Sequence, residues 1–299
     1  MHAVDRRGFT LIELMVALLL LGIVTAGIYR VLVSNQRTYH AQTQRIDLQQ
    51  NIRAAATILP SEFRELAASE GDIYAMGTTE IRMRALRQFS VLCRAPVLGG
   101  GTGALPVIVF RDLFSGNSLV RGDSILLYYE GDEGTRNDDG WVAAALTTDP
   151  ANAVCPDAFL SAGIAFTVAL ENTFPDAIRL NRPNAIPNGG PMRGFQPVRY
   201  ALYQSDADGL WYLGMDVFTQ GAWAGIQPLV GPLLGSTGLR FNYFDNASVA
   251  TADPLRVGMI EITVTGRTQE HVKAPGGGAF TLPQDSITTR VALRNNRRF

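Results

Sequence analysis

The chain has 299 residues, 46% hydrophobic and 18% charged. That balance excludes a disordered protein and leaves room for one large domain, or two small ones, beyond any anchor. A formal net charge of −1 excludes the overall basic balance that would point to nucleic acid. Lys273 is the only lysine, an arginine bias that genomic base composition explains more simply than phosphate recognition.

The first residues, MHAVDRRG, place Arg6 and Arg7 ahead of an apolar run from Phe9 to Tyr29 in which Glu13 is the only charge. As a helix this run spans about 31 Å at ~1.5 Å per residue, close to the ~30 Å hydrocarbon core of a bilayer. A single membrane span over residues 9–33 is therefore predicted, and no second apolar run of that length follows. Arg6 and Arg7 keep the N terminus cytoplasmic by the positive-inside rule, an asymmetry that Arg30 weakens. A secretory signal peptide has a shorter apolar core ending in a small-residue cleavage site, whereas here the apolar run comes after the small residue, Gly8.

Beyond the span no proline occurs before Pro60, and Leu48, Ile52, Ala55, Leu59, Phe63 and Leu66 recur at intervals of three and four. The spacing predicts that the helix leaves the membrane, is polar over residues 34–47 and one-sided to about Ser69, with Pro60 kinking it or opening a second short helix. After Gly71 the period becomes two. Strands are predicted at Thr79–Arg84, Val107–Arg111, Ser124–Glu130, Ala165–Leu170, Val198–Gln204, Leu210–Val217, Leu239–Phe244, Met259–Thr265 and Ser286–Leu293. Gly- and Pro-rich loops are predicted at Leu98–Leu105, Arg182–Pro197 and Ala274–Gly278. The expected fold is α+β, a long N-terminal helix packed on an antiparallel β-rich head over residues 70–299.

Cys93 and Cys155 are the only cysteines and form neither a C-x-x-C pair nor a zinc pattern. In an exported head they most simply form one disulfide across a long loop; the alternative is two separately buried thiols.

A carboxylate within a bilayer costs roughly 2.5–3.5 kcal/mol on insertion scales and is rarely kept without a use. The stretch RRGFTLIELMVALLLLGIV resembles the prepilin signature of type IV pilins and of the pseudopilins of type II secretion, with a basic leader, Gly8, Phe9, Glu13 and an uninterrupted apolar helix in that order. The resemblance implies that a prepilin peptidase removes residues 1–8 by cutting between Gly8 and Phe9 and methylates the new amine of Phe9. It also implies that Glu13 meets that amine on a neighbouring subunit, an ion pair that answers the cation left in the bilayer. Two blander roles for Glu13 stand beside it: snorkelling to the interface, or pairing at i, i+4 with Phe9 of its own chain.

Farther along, ILPSEFREL, YALYQSDADGLWYL, VGPLLGSTGLRFNYFD, VGMIEITVTG and ITTRVALRNN are similar to the larger minor pilins of the PilW kind and to the related J pseudopilin of type II secretion. The helix lacks the mid-membrane proline of many major pilins, with Gly22 and Gly27 the nearest weak points, and no cysteine pair brackets the C terminus. Both departures favour a minor subunit. The implied partners are other pilins or pseudopilins, the peptidase, the inner-membrane assembly machinery and, before assembly, membrane lipid. The implied location is the inner membrane with a periplasmic head, then a filament at the cell surface.

No catalytic constellation is expected. His40 and His271 are the only histidines after residue 8, and neither a G-x-S-x-G elbow nor a phosphate loop occurs. The acidic loop EGDEGTRNDDG offers Asp132, Asp138 and Asp139 as weak calcium candidates, and SDADG offers Asp206 and Asp208. Both loops lack the distal glutamate of a calcium loop and read more simply as turns, so neither a metal nor a cofactor is expected. A different class of reading is a membrane-tethered binding module using Trp141, Trp211 and Trp223, but such a module has no use for Gly8 before Phe9 or for an acid at 13.

Overall fold

The computed structural model describes residues 10–94, 96, 105–110, 119–131, 134, 139–155, 162–170, 185–219, 222–273 and 279–294. One α-helix, α1 (Leu11–Arg64), is followed by a β-rich region of antiparallel strands, an α+β fold. The chain divides into two compact units. One is Met1–Gln50 with Arg267–Asp285, and the other, the head, is Asn51–Gly266 with Ser286–Phe299.

In the first unit the helix is exposed along almost its whole length, with Leu48 its one buried residue among those described. It is the one described helix long and apolar enough to cross a membrane.

In the head, the last turns of α1 lie against the sheet. Ile52, Ala55, Leu59 and Phe63 are buried, as the three-and-four spacing predicts for the inward stripe of an amphipathic helix. Phe63 stands edge-on to Tyr200, with ring centroids 6.1 Å apart, and to Phe241 at 5.8 Å. The helix passes through Pro60 and ends at Arg64, short of the expected Ser69; only a 3-10 turn follows, at Ala68–Glu70. Helix-terminal carbonyls need outside donors, and here Arg294 N–H donates to the Arg64 carbonyl at 2.9 Å. The chain then turns on Asp72, whose carboxylate accepts from Ala67 N–H at 2.8 Å. Burial raises the Asp72 pKa, and the Ala67 bond and the Arg84 guanidinium, 3.9 Å away, act in the opposite direction.

Strands β1 (Ile73–Met76), β2 (Glu80–Arg94), β3 (Leu105–Phe110), β4 (Ser124–Tyr129), β5 (Gly140–Leu146), β6 (Ala151–Val154), β7 (Ala162–Leu170) and β8 (Pro191–Gln204) make the first part of the sheet. They are followed by β9 (Trp211–Thr219), β10 (Ala222–Trp223), β11 (Gln227–Leu233), β12 (Leu239–Phe244) and β13 (Met259–Arg267). The short β14 (Val272–Lys273) and β15 (Phe280–Thr281) pair with each other, and β16 (Gln284–Ala292) returns to pair with β13. Each of the nine predicted strand segments overlaps a strand, with Thr79, Glu130, Leu210 and Leu293 just beyond the strand ends and Arg111 outside the described residues.

The long ribbon of β2 and β8 organises this sheet. Pairing runs β2–β3–β7–β5–β4–β8, and β8 pairs with β2 again, so six antiparallel strands close a ring. Its interior is filled by side chains including Val107, Val109, Ile125, Leu127, Phe166 and Met192, as in other small closed sheets. The other end of the ribbon pairs β8 with β9 and carries the face on which α1 packs. A bulge in β2 at Arg87, between the pairs Leu86–Phe195 and Gln88–Gly194, joins the two regions. Before it Ile81, Met83 and Ala85 are buried; after it Gln88, Ser90 and Leu92 are. The extra residue shifts the period by one and keeps the inward face continuous. It also directs Arg87 to Glu62 of α1, at 3.0 Å.

The stretch read as a loop over Arg182–Pro197 is strand from Pro191 onward. Pro191 opens β8, and Pro197 falls where the pairing on one edge passes from β4 to β9, two places where a missing N–H is tolerated. Residues 98–104, 182–184 and 274–278 of the predicted loops lie outside the described residues. Phe63→Ala is expected to lower the unfolding free energy of the detergent-solubilised mature protein by about 3–5 kcal/mol, as for other fully buried aromatics. Urea denaturation measures it, and a change under 1 kcal/mol would mean that Phe63 does not hold the helix to the sheet.

Candidate functional site

The start of the helix carries the chemistry that the sequence singled out. Thr10 precedes the first turn and Glu13 stands three residues later, the spacing of a capping box. The two side chains are used reciprocally: Glu13 N–H donates to Thr10 Oγ1 at 3.3 Å, and Thr10 N–H donates to Glu13 Oε2 at 3.5 Å. Glu13 thus sits at the positive end of the helix dipole and already serves its own chain. A carboxylate has about four lone-pair positions, so this long bond leaves room for a cation from elsewhere. The capping role of Thr10 was absent from the sequence reading, although T-x-x-E ahead of an apolar run is its signal.

Arg6, Arg7, Gly8 and Phe9 lie outside the described residues, so the geometry of the predicted cut and of the methylated amine rests on sequence. From Leu11 to Leu32 the large apolar side chains are all exposed in the single chain. Nothing among the described residues covers them.

Residues 5–29 match the prokaryotic N-terminal methylation motif. The N terminus is type IV prepilin-like. Such a motif implies a pilin-like or pseudopilin protein cleaved by a prepilin peptidase and suggests interaction with pilins in general, and with the one apolar helix it fits a single-pass membrane anchor. No curated protein and no solved structure matches the chain.

Outside the prepilin-like segment, the structure brings together two other predicted residues. Cys93, near the end of β2, and Cys155, after β6, are both buried and joined as a disulfide, with Cα atoms 5.4 Å apart and a sequence separation of 62. Gly163 makes room for this, since a Cβ there would come within 3.0 Å of the Cys155 sulfur. A cross-link over a loop of that length restricts the unfolded chain by about 4 kcal/mol in the chain-entropy model.

The acidic loops are turns where they are described. Asp139 Oδ1 accepts from Gly131 N–H at 3.3 Å across the β4–β5 hairpin, and Asp132 and Asp138 lie outside the described residues. Asp208 accepts from Tyr212 O–H at 2.6 Å and Leu210 N–H at 3.0 Å, and these two bonds, the tyrosine's first, lower its pKa. No group of three or more His, Cys, Asp and Glu side chains converges among the described residues. The tryptophans are partly engaged: the Arg193 guanidinium lies 4.7 Å over the Trp141 ring, and Trp223 stands edge-on to Phe218 at 5.4 Å.

Two expectations follow. Gly8→Val should block processing, because a pocket shaped for glycine has no room for a branched side chain, and the precursor should stay in the membrane; intact mass of the wild-type protein tests the premise, which a mature chain beginning anywhere but Phe9 defeats. Separately, alkylation of native protein should label neither Cys93 nor Cys155 until reductant is added, and urea unfolding should then shift to lower denaturant. Two thiols labelled without reductant would exclude the bond.

Proposed function

We propose that the protein is a minor pilin-like subunit of the PilW kind that takes part in assembly or in the priming tip of a type IV pilus. One observation carries this reading. A single unbroken helix begins in the methylation motif, is apolar and uncovered over its first half, and ends buried under the sheet of the head. Its start suits extraction into a filament of similar helices, and its end carries the head with it. The part is structural; the chemistry done on the chain belongs to the peptidase, and no cofactor or calcium ion enters its role. The head then stands in the periplasm before assembly and on the filament afterwards.

A pseudopilin of a type II secretion or competence system uses the same motif and is the second reading. Pilus, secretion or competence genes beside this one would decide between them. A tethered binding module has less support, because the Trp141 face that would stack on a ligand already carries Arg193.

Glu13→Gln tests the assembly role. The altered chain should insert and be cut normally, since the peptidase acts at Gly8 and Phe9. Its ratio in sheared filaments to inner membrane should fall, because a partner's amine is left without a counter-charge, at a cost of roughly 3–5 kcal/mol when one member of a buried pair is removed. An unchanged ratio with normal processing would sink that role.

A further inference from the structure

Strand β16 lies on the opposite side of β13 from β12. On the β12 side, Thr265 N–H donates to the Gly238 carbonyl at 2.8 Å; on the β16 side, Leu293 N–H donates to the Gly258 carbonyl at 3.0 Å and Thr268 N–H to the Pro283 carbonyl at 3.0 Å. The last two bonds lie beyond the two ends of β16 and share one antiparallel offset, so no extra residue enters between them. The same offset sets Thr288 opposite Thr263 and Arg290 opposite Glu261. Their side chains meet accordingly, hydroxyl to hydroxyl at 3.0 Å and Arg290 Nε to Glu261 Oε2 at 2.6 Å.

The alternation of an antiparallel ladder then gives each backbone unit a direction. Ile287, Thr289 and Val291 turn their N–H and C=O toward β13. Thr288, Arg290 and Ala292 turn theirs away, and all three residues are exposed. β16 pairs with β13 alone, and among the described residues no other backbone group reaches these three. An open edge is a template for a further strand, and proteins that must stay single blunt it with lysine, proline or a bulge. Between Gln284 and Ala292 there is neither lysine nor proline, and the register carries no bulge. Ile287, Thr288, Thr289 and Val291 are β-branched residues suited to a longer sheet.

Resting on the proposed filament role, we infer that the Thr288–Ala292 edge accepts a β-strand from the head of a different pilin-type subunit, extending this sheet across a subunit boundary. Unpaired backbone recognises backbone, so the occupant is an extended chain. Charge selects which chain. The side chains of Arg290 and Arg294 stand 64% and 67% exposed along this edge, so a strand with an acidic side chain complements them, whereas a second copy of β16 laid antiparallel here brings arginine against arginine.

Thr288→Pro removes only an outward N–H, which the single chain does not use, and an edge strand tolerates proline at such a place. The thermal unfolding midpoint of the mature protein should therefore stay near that of the wild type, while Thr289→Pro, which takes an N–H out of the β13 ladder, lowers it. In cells Thr288→Pro should be processed normally and lower the filament-to-membrane ratio by about tenfold, the loss expected for one or two net backbone hydrogen bonds. A photoreactive residue at Ala292 should, on illumination, join the chain to a strand of another chain that carries the methylation motif, identified from the cross-linked peptide, and Thr288→Pro should abolish that adduct. The cross-link is read first in the otherwise wild-type chain, so it decides even where a proline disturbs the head. No adduct, an adduct to a helix, to a second copy or to a protein without the motif, or an unchanged ratio and adduct for a folded Thr288→Pro, would overturn the inference while leaving the filament role intact. Absence of the wild-type chain from filaments would remove both.

Discussion

The burial of Phe63 between Tyr200 and Phe241 is the contact on which the rest depends. It joins the last turn of α1 to β8 of the β2–β8 ribbon and to β12, both far from the helix in sequence. Arg87 and Glu62 add an ion pair at 3.0 Å beside it, half-buried and therefore less screened than a surface pair. The C-terminal strand completes the joint, with Arg294 supplying the N–H that the end of the helix lacks.

The two halves of α1 meet different solvents and so obey different rules. In the head, the stripe is satisfied internally and is closed to further partners. In the first unit, the apolar surface is uncovered in water and is stable only in lipid or against other helices. Glu13 and Thr10 show the same division at smaller scale. Their reciprocal bonds satisfy the helix start within one chain, at distances long enough that a charged group from another chain can compete for the carboxylate.

The ring of six strands is an elaboration carried on the ribbon. β2 and β8 face each other directly at Val91 and Pro191, so the chain leaves and re-enters the ribbon at the same place. Everything between is accommodated without disturbing the face that holds α1, because the bulge at Arg87 keeps the inward positions in phase. The Cys93–Cys155 bond fastens this excursion near its point of departure.

Sequence by itself determined the N-terminal region: the basic leader, Gly8, Phe9, Glu13 and the apolar run are local signals, each readable without knowing what folds against what. It also determined the inward stripe from Ile52 to Phe63, because helical period is a property of one segment. Most strand positions were legible for the same reason, as alternation in β12 and β13 shows. The tertiary structure decided what depends on residues distant in the chain. The closure of the ring, the bulge at Arg87 and the strand character of Pro191–Pro197 follow from pairing partners that no local pattern names. The helix ends at Arg64 rather than near Ser69, and Arg294, 230 residues away in the numbering, supplies a hydrogen bond to its terminal carbonyl. Local sequence sets what each segment prefers; only the assembled fold fixes which donor, ring or strand is there to meet it.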